Sequence, residues 1–352
     1  MKRIVLGLAL AASIAVPAGA RAAPSGMEFV PLQSVNTGLG QCNVVAVSGN
    51  LIAIPVDESY QQQDLDGDHL FTHAVLAVYD VAKQKTTNTR IPVLGLLGIE
   101  GNLIAVQLQA TGTLGIYAMA NTGRWSRGIT DTGLSVGWAG GGRKAISGGK
   151  LVYNSGADLH LFDLVTGTNQ VIAQSGDATI SGNVVAYSAA APGTYVATLH
   201  TYDVTTGLTV DTGVPGSSPV TDGAGIVFRS GSGLSYYDLQ TQQPVDLGFT
   251  DVYDFGFQGG KLAMLAREGA FWGDLDGDGG TYEDEQIVVV YDLRSGRLVN
   301  TGVPSCCGGD IDGDIIVFDV YEQDSNVNVD LNGDGLDGDC VQAFLSIAGL
   351  FP

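Results

Sequence analysis

The sequence predicts an all-β fold, a seven-bladed β-propeller closed by an N-terminal strand that completes the last blade. Three observations predict it. A hairpin phrase recurs seven times, the composition favours strands and turns, and the two chain ends complement each other. The composition includes 51 Gly and 13 Tyr in 352 residues, with plentiful Val, Ile and Thr and few Lys or Glu to build helix surfaces.

The elements follow in chain order. Lys2 and Arg3 precede an apolar run from Ile4 to Val16 that only Gly7 and Ser13 interrupt, and Ala20-Arg21-Ala22 follows it. A positive start, a short apolar stretch and a small-residue site make a secretory signal peptide over residues 1–22. Residues 23–352 are then expected as one propeller domain, exported to the periplasm or the extracellular space. No cysteine follows the run at the cleavage point, which excludes a lipid anchor there, and no later stretch is apolar for long enough to span a bilayer.

The recurring phrase is apolar-x-Gly-[Asn/Gly/Asp]-apolar run. It appears as Val47-Ser-Gly-Asn-Leu-Ile-Ala-Ile54, Ile99-Glu-Gly-Asn-Leu-Ile-Ala-Val106 and Ile146-Ser-Gly-Gly-Lys-Leu-Val-Tyr153. Further copies start at Ile180, Val220, Phe257 and Ile311. Each reads as two strands joined by a tight turn in which Gly supplies positive φ. An aromatic-Asp-apolar phrase follows most copies, as in Tyr79-Asp80-Val81, Tyr202-Asp203-Val204 and Tyr291-Asp292-Leu293, whereas the second repeat keeps only Tyr117 and has Ala118 after it. A fourth strand with a Thr-Gly-apolar cadence completes each blade. The seventh repeat stops after Val341 to Ile347, and Phe29 to Leu39 forms an orphan fourth strand whose Val35-Asn-Thr-Gly-Leu39 matches Val299-Asn-Thr-Gly-Val303. That pairing of ends predicts a closed ring without sheet edges.

Charge is strongly negative, −21 for the whole chain, and loss of Lys2, Arg3 and Arg21 makes it more so. Such a field repels phosphate backbones and anionic membranes, which argues against nucleic-acid binding. About half of the 37 acidic residues crowd three windows, Asp57 to Asp68, Glu268 to Glu285 and Glu322 to Asp339. Density of that kind costs self-repulsion unless cations offset it.

The windows carry metal-ligand spacing. Asp274, Asp276, Asp278 and Gly279, then Glu285, satisfy the D-x-[DN]-x-[DN]-G-x₅-E calcium-loop pattern. Asp330, Asn332, Asp334 and Gly335 repeat it, with Asp337 and Asp339 behind. Asp64, Asp66 and Asp68 repeat it again, but His69 follows, and His73 stands where the last window has Asp339. Glu58, Glu268 and Glu322 precede the three loops at the ends of their second strands. Alternating carboxylates in a tight loop converge on one point, which suits Ca²⁺ with its six to eight oxygens. Mg²⁺ holds its water and Zn²⁺ prefers thiolate and imidazole, so both fit less well. The three windows lie in consecutive blades of a closed ring and are expected to cluster.

Cys42, Cys306, Cys307 and Cys340 are an even number in an oxidising compartment. All four fall at the seam between the last and first repeats. The expectation is Cys340 bonded to Cys306 or Cys307, and Cys42 bonded to the other.

The Ile-Ser-Gly-Asn hairpins, Tyr-Asp-Val-Thr-Thr-Gly turns and Asp-Leu-Asn-Gly-Asp-Gly loop resemble exported bacterial proteins with TolB-like β-propeller repeats, some of which carry calcium-type loops. The resemblance implies fold and metal, not activity. Two functional classes follow. One is a secreted calcium-binding recognition or scaffold module, a monomer with a protein or glycan ligand. The other is a metal-dependent lyase or hydrolase acting on polysaccharide. The four histidines are scattered, so no catalytic residue is assigned. His160 and His200 read as strand positions. Phe271 and Trp272 read as cover for a hairpin, or as a platform for a sugar ring.

Overall fold

The structure, a computed structural model, describes residues 26–41, 45–137, 144–174, 176–190, 196–269, 271–276, 286–322, 330–335 and 339–351. The predicted signal segment, residues 1–22, lies outside them.

The hairpin phrases form inner strand pairs because alternating apolar residues flank a turn that needs a left-handed residue. Gly49 (φ 56°) and Gly182 (φ 57°) supply it in two of them. The chain begins with β1 (Glu28–Phe29) and β2 (Val35–Gly40). Sheet I follows as β3 (Ala46–Ser48), β4 (Leu51–Asp57), β5 (Ala74–Asp80), β6 (Lys85–Glu100), β7 (Leu103–Leu108), β8 (Thr113–Ala118) and β9 (Gly128–Ser135), with the short helix α1 (Glu58–Gln61) after β4. Sheet II is β10 (Ile146–Ser147), β11 (Lys150–Ser155), β12 (Asp158–Asp163) and β13 (Asn169–Gln174). Sheet III is β14 (Ala178–Ser181), β15 (Val184–Ala190), β16 (Ala197–Asp203) and β17 (Thr209–Pro215). Sheet IV is β18 (Ser217–Thr221), β19 (Gly225–Ser230), β20 (Gly233–Asp238) and β21 (Gln243–Thr250). Sheet V is β22 (Val252–Gln258), β23 (Lys261–Arg267), β24 (Gln286–Asp292) and β25 (Arg297–Ser305), joined by β1. Sheet VI is β26 (Cys307–Asp312), β27 (Ile315–Tyr321) and β28 (Cys340–Ser346), joined by β2.

The chain is therefore all-β in a propeller arrangement, but the expectation of seven blades is corrected. Sheets II to VI are 5 discrete blades, four of four strands and one of five, while sheet I is one continuous seven-stranded ladder. The reason lies in β6, a 16-residue strand. Its first half pairs with β5 and its second half with β7, and Val93 faces both Ala74 and Leu108. Bulges at Val75/Ala77 and Val93/Gly95 bend the strand without ending it, so the first two repeats share one sheet.

The N-terminal strand also differs in extent from its predicted span. β2 lies antiparallel against β28, with Val35 opposite Phe344 and Gly40 opposite Val341. Glu28 and Phe29 instead pair in parallel with Val299 and Asn300 of sheet V. The amino-terminal segment thus bridges two sheets.

Apolar clusters join each sheet to the next. Ala105, Leu151 and Ile180 belong to one buried cluster that runs from sheet I through sheets II and III. Leu199 and Phe228 share a second cluster, Val227 and Phe255 a third, and Val288 and Ile316 a fourth. The last cluster places Val317 and Phe344 of sheet VI against Ile52 and Tyr79 of sheet I, so the sequence of contacts returns to its start. The Tyr79 and Phe344 rings stand 5.8 Å apart. Around the centre, a side chain of one inner hairpin accepts from the turn amide of the next. Glu100 takes Gly148 N at 2.7 Å, Ser147 Oγ takes Gly182 N at 2.9 Å, and Asp312 Oδ2 takes Gly49 N at 2.6 Å, the last link joining sheet VI to sheet I. Among the described residues, no helix is long and apolar enough to cross a membrane.

Candidate metal centre

The three acidic loops depart from equivalent points, where β4, β23 and β27 end. Glu58, Glu268 and Glu322 are 0%, 2% and 0% exposed, although each carries an ionisable group. Their burial has a local cause. Glu58 Oε1 accepts from Leu65 N (2.6 Å) and Asp66 N (3.3 Å). Glu268 Oε1 accepts from Leu275 N (2.5 Å) and Asp276 N (3.2 Å). Glu322 Oε1 accepts from Leu331 N (2.5 Å) and Asn332 N (3.2 Å). One oxygen of each glutamate thus folds the loop back over the strand. The other, Oε2, is buried in all three and accepts no hydrogen bond from protein. An unmet buried carboxylate oxygen is costly, and here the same cost recurs at three equivalent positions.

The leucine of each Asp-Leu-[Asp/Asn] anchors the loop. Leu275 is fully within the core, and Leu65 and Leu331 pack against it. A second anchor comes from the fourth strand. Asn88, Asn300 and Asn36 each donate Nδ2 to the carbonyl of that leucine, at 2.8 Å to Leu65, 2.6 Å to Leu275 and 2.6 Å to Leu331. The same asparagines accept with Oδ1 from the amide two residues on, at Arg90, Gly302 and Gly38. Sequence reasoning missed these residues. Their signal was present in the fourth-strand cadence, which reads Asn-Thr in the three repeats with acidic loops. It reads Asp131-Thr and Asp211-Thr, and Asp246-Leu in the fourth sheet, in repeats whose sequence has no such loop between the second and third strands.

Donor atoms converge in two of the loops. Glu58, Asp66, Asp68 and His73 offer ligand atoms all within 4.8 Å of one another, and so do Glu268, Asp274 and Asp276. In the third, Asn332 Nδ2 lies 3.4 Å from Asp339 Oδ2. Asp339 is pushed up to about 7 by burial, then by its carboxyl–carboxylate contact with Glu322, with the charges of Glu322 and Asp334 adding to it. Burial also raises the Glu268 carboxyl, with Asp276 and Asp274 adding to the effect against two backbone N–H groups. Backbone pairing makes the closing positions equivalent. Glu58 N donates to His73 O at 3.1 Å and Glu322 N to Asp339 O at 3.0 Å. In sheet V, the described ladder reaches this end at Arg267 and Gln286. Glu285, Asp278 and Asp337 lie outside the described residues.

Two predicted ligands do different work. Asp64 accepts from Gly67 N and His69 N, and Asp330 from Gly333 N and Gly335 N, so both carboxylates hold their own loop backbones. The outer two loops also touch across the seam, where Asn332 Nδ2 donates to Tyr60 O of α1 at 2.8 Å.

Three of the four cysteines gather at the seam, and no disulfide is shown among them. Cys306 Sγ is 2.9 Å from Cys340 Sγ and 3.5 Å from Cys307 Sγ, whereas a bond requires about 2.0 Å. Cys306 follows the end of β25 and Cys340 opens β28 opposite Tyr321, so the strand ends bring these sulfurs together. Cys42 lies outside the described residues. Trp272 covers its hairpin, with Nε1 donating to Thr250 O at 2.8 Å and the ring stacked on Phe249. His160 and His200 stack on Tyr153 and Tyr187 across their strands.

No family model matches the chain, and no curated protein matches it either. Solved structures match its fold. The crystal structure of the tricorn protease aligns with a TM-score of 0.51 and 13% identity, over 85% of this chain and 33% of that one. This chain thus spans about a third of that protein's length. TolB from Acinetobacter baumannii aligns with a TM-score of 0.42 and 17% identity, over 77% and 75% of the two chains. BamB from Moraxella catarrhalis gives 0.43 and 11%, over 86% and 84%.

Proposed function

We propose that this chain is an exported, calcium-binding propeller that acts as a recognition or scaffold module for a protein or glycan ligand. The observation that carries the calcium reading is the buried Oε2 left without a hydrogen bond in Glu58, Glu268 and Glu322 alike. Such an oxygen beside further carboxylates is what a hard dication satisfies. The Glu268 and Glu322 sets offer carboxylate oxygen, from Asp274, Asp276, Asp334 and Asp339. Asp278 and Glu285 complete the first set in the sequence pattern.

The recognition reading rests on position. The acidic loops all connect second and third strands, so a bound cation orders one edge of adjacent sheets for a partner. In the oxidising compartment that the leader implies, Cys306 and Cys340 close to a disulfide, which non-reducing peptide mapping detects. Retention of both thiols after oxidative secretion sinks that part.

Calorimetry on chelator-treated protein tests the metal. Calcium is expected to bind and to stabilise the fold by about 2.7 kcal/mol per site at a hundredfold excess over Kd, read as a higher melting temperature. Glu268→Gln and Glu322→Gln each remove one site. A melting curve indifferent to calcium and to chelator refutes the reading. A glycan array with and without calcium tests recognition, and turnover of a polysaccharide instead of retention would favour the enzymatic class.

A further inference from the structure

The loop of sheet I differs from the other two in one donor atom. At its closing position, where the sheet VI loop has a carboxylate, stands His73. The equivalence is geometric, since Glu58 N donates to His73 O as Glu322 N does to Asp339 O. His73 Nδ1 lies 3.2 Å from Asp68 Oδ2 and 3.7 Å from Asp66 Oδ2. It is buried, yet it makes no hydrogen bond. Glu58 is wholly buried and contributes a carboxylate oxygen to the same group, all four donors falling within 4.8 Å. Its Oε2 accepts no hydrogen bond from protein.

We propose that Glu58, Asp66, Asp68 and His73 form a mixed nitrogen–oxygen centre for a divalent transition metal of the zinc class, and not a third calcium site. The proposal rests on the reading of the acidic loops as cation sites and assigns this one a different ion. Calcium takes oxygen ligands, whereas imidazole is a ligand for zinc, copper, iron and nickel. Replacing one carboxylate by a neutral imidazole also lowers the negative charge of the set, which weakens a hard cation more than a borderline one. A bare ion pair between His73 and Asp68 accounts for neither the unmet Glu58 oxygen nor the convergence of the third carboxylate, Asp66. His69 is outside the group. Its Nδ1 faces Asp64 at 3.2 Å and its side chain is almost entirely solvent-exposed.

The test uses the full chain in millimolar calcium, with zinc as the calorimetric probe and Cu²⁺ as the spectroscopic one. One equivalent of zinc is expected to bind despite the calcium. The copper spectrum should show nitrogen superhyperfine splitting, which cysteine sulfur cannot produce. His73→Asp, which restores the carboxylate of the sheet VI loop, should weaken zinc at least tenfold, erase the splitting and add one calcium to the stoichiometry. His73→Gln provides a second variant that keeps the side chain's bulk, and His69→Ala should leave both signals intact. Zinc binding unchanged in the His73 variants, or displacement of zinc by stoichiometric calcium, overturns the proposal. Glu268→Gln and Glu322→Gln in the same titration report on calcium alone. If they show no calcium site while the His73-dependent zinc persists, the calcium reading fails and this one stands.

Discussion

The side-chain amide of Asn300 does two things at once, accepting from Gly302 N and donating to Leu275 O. Aspartate can do only the first, as Asp211 does with Gly213 N. Asn300→Asp therefore sets a carboxylate against a carbonyl in a buried site, at a cost of about 1–3 kcal/mol. Urea denaturation should show that loss and calorimetry a weaker calcium site, whereas Asp211→Asn should be nearly silent in both. Equal effects at the two positions would show that the loop does not depend on this donor. Asp339 supplies a pH dependence. Its folded pKa, about 7, lies above the ordinary carboxylate range because of burial and the nearby Glu322 and Asp334. The folded state then binds the proton more tightly than the unfolded state. This contribution to stability is full below about pH 4 and is lost as pH rises toward 7. Chelated protein should melt lower at pH 8 than at pH 5, and calcium or Asp339→Asn should flatten that difference. A chelated protein with no such slope would contradict the assignment.

At the scale of elements, α1 joins the seam's parts. Gln61 Oε1 accepts from Gly40 N of β2 at 2.8 Å, and Tyr60 O accepts from Asn332 of the sheet VI loop. Gln61→Ala strands a buried amide, which costs roughly 1–3 kcal/mol. Differential scanning calorimetry should show the lower melting temperature, and an unchanged value would mean that water replaces the glutamine. The hairpin phrases were legible because turn glycines and alternating apolar residues encode a strand pair locally. The continuity of β6 was not legible, because the repeat phrases mark where each hairpin starts and not where the strand between two of them ends. Whether a strand breaks there depends on what Val93 faces, and it faces both neighbours. The loops were legible as ligand spacing, but not the division of labour inside them. Asp64 and Asp330 look like ligands by spacing, yet backbone amides claim their oxygens. His73 was visible as a departure from Asp339, and its nearness to Glu58 is a matter of ladder register.

For the whole molecule, the decisive contact is the return of sheet VI onto sheet I through Phe344, Tyr79 and the Asp312–Gly49 link. β2 covers the edge that β28 otherwise exposes, and open strand edges recruit other chains. A chain beginning at residue 41 should melt lower and self-associate, which light scattering after size exclusion detects; a monodisperse, equally stable product would show that the strand is dispensable. Asn36 of that closing strand reaches Leu331 in the acidic loop, so strand and loop lock through one hydrogen bond. Under the calcium reading, this makes the final folding step sensitive to geography. Cytoplasm, where free calcium is scarce, leaves the loop's charges to repel one another and the last strand poorly held. Where the cation is abundant the clasp sets. If the chain is exported as proposed, it would stay unfinished, and so threadable through a channel, until it met that cation.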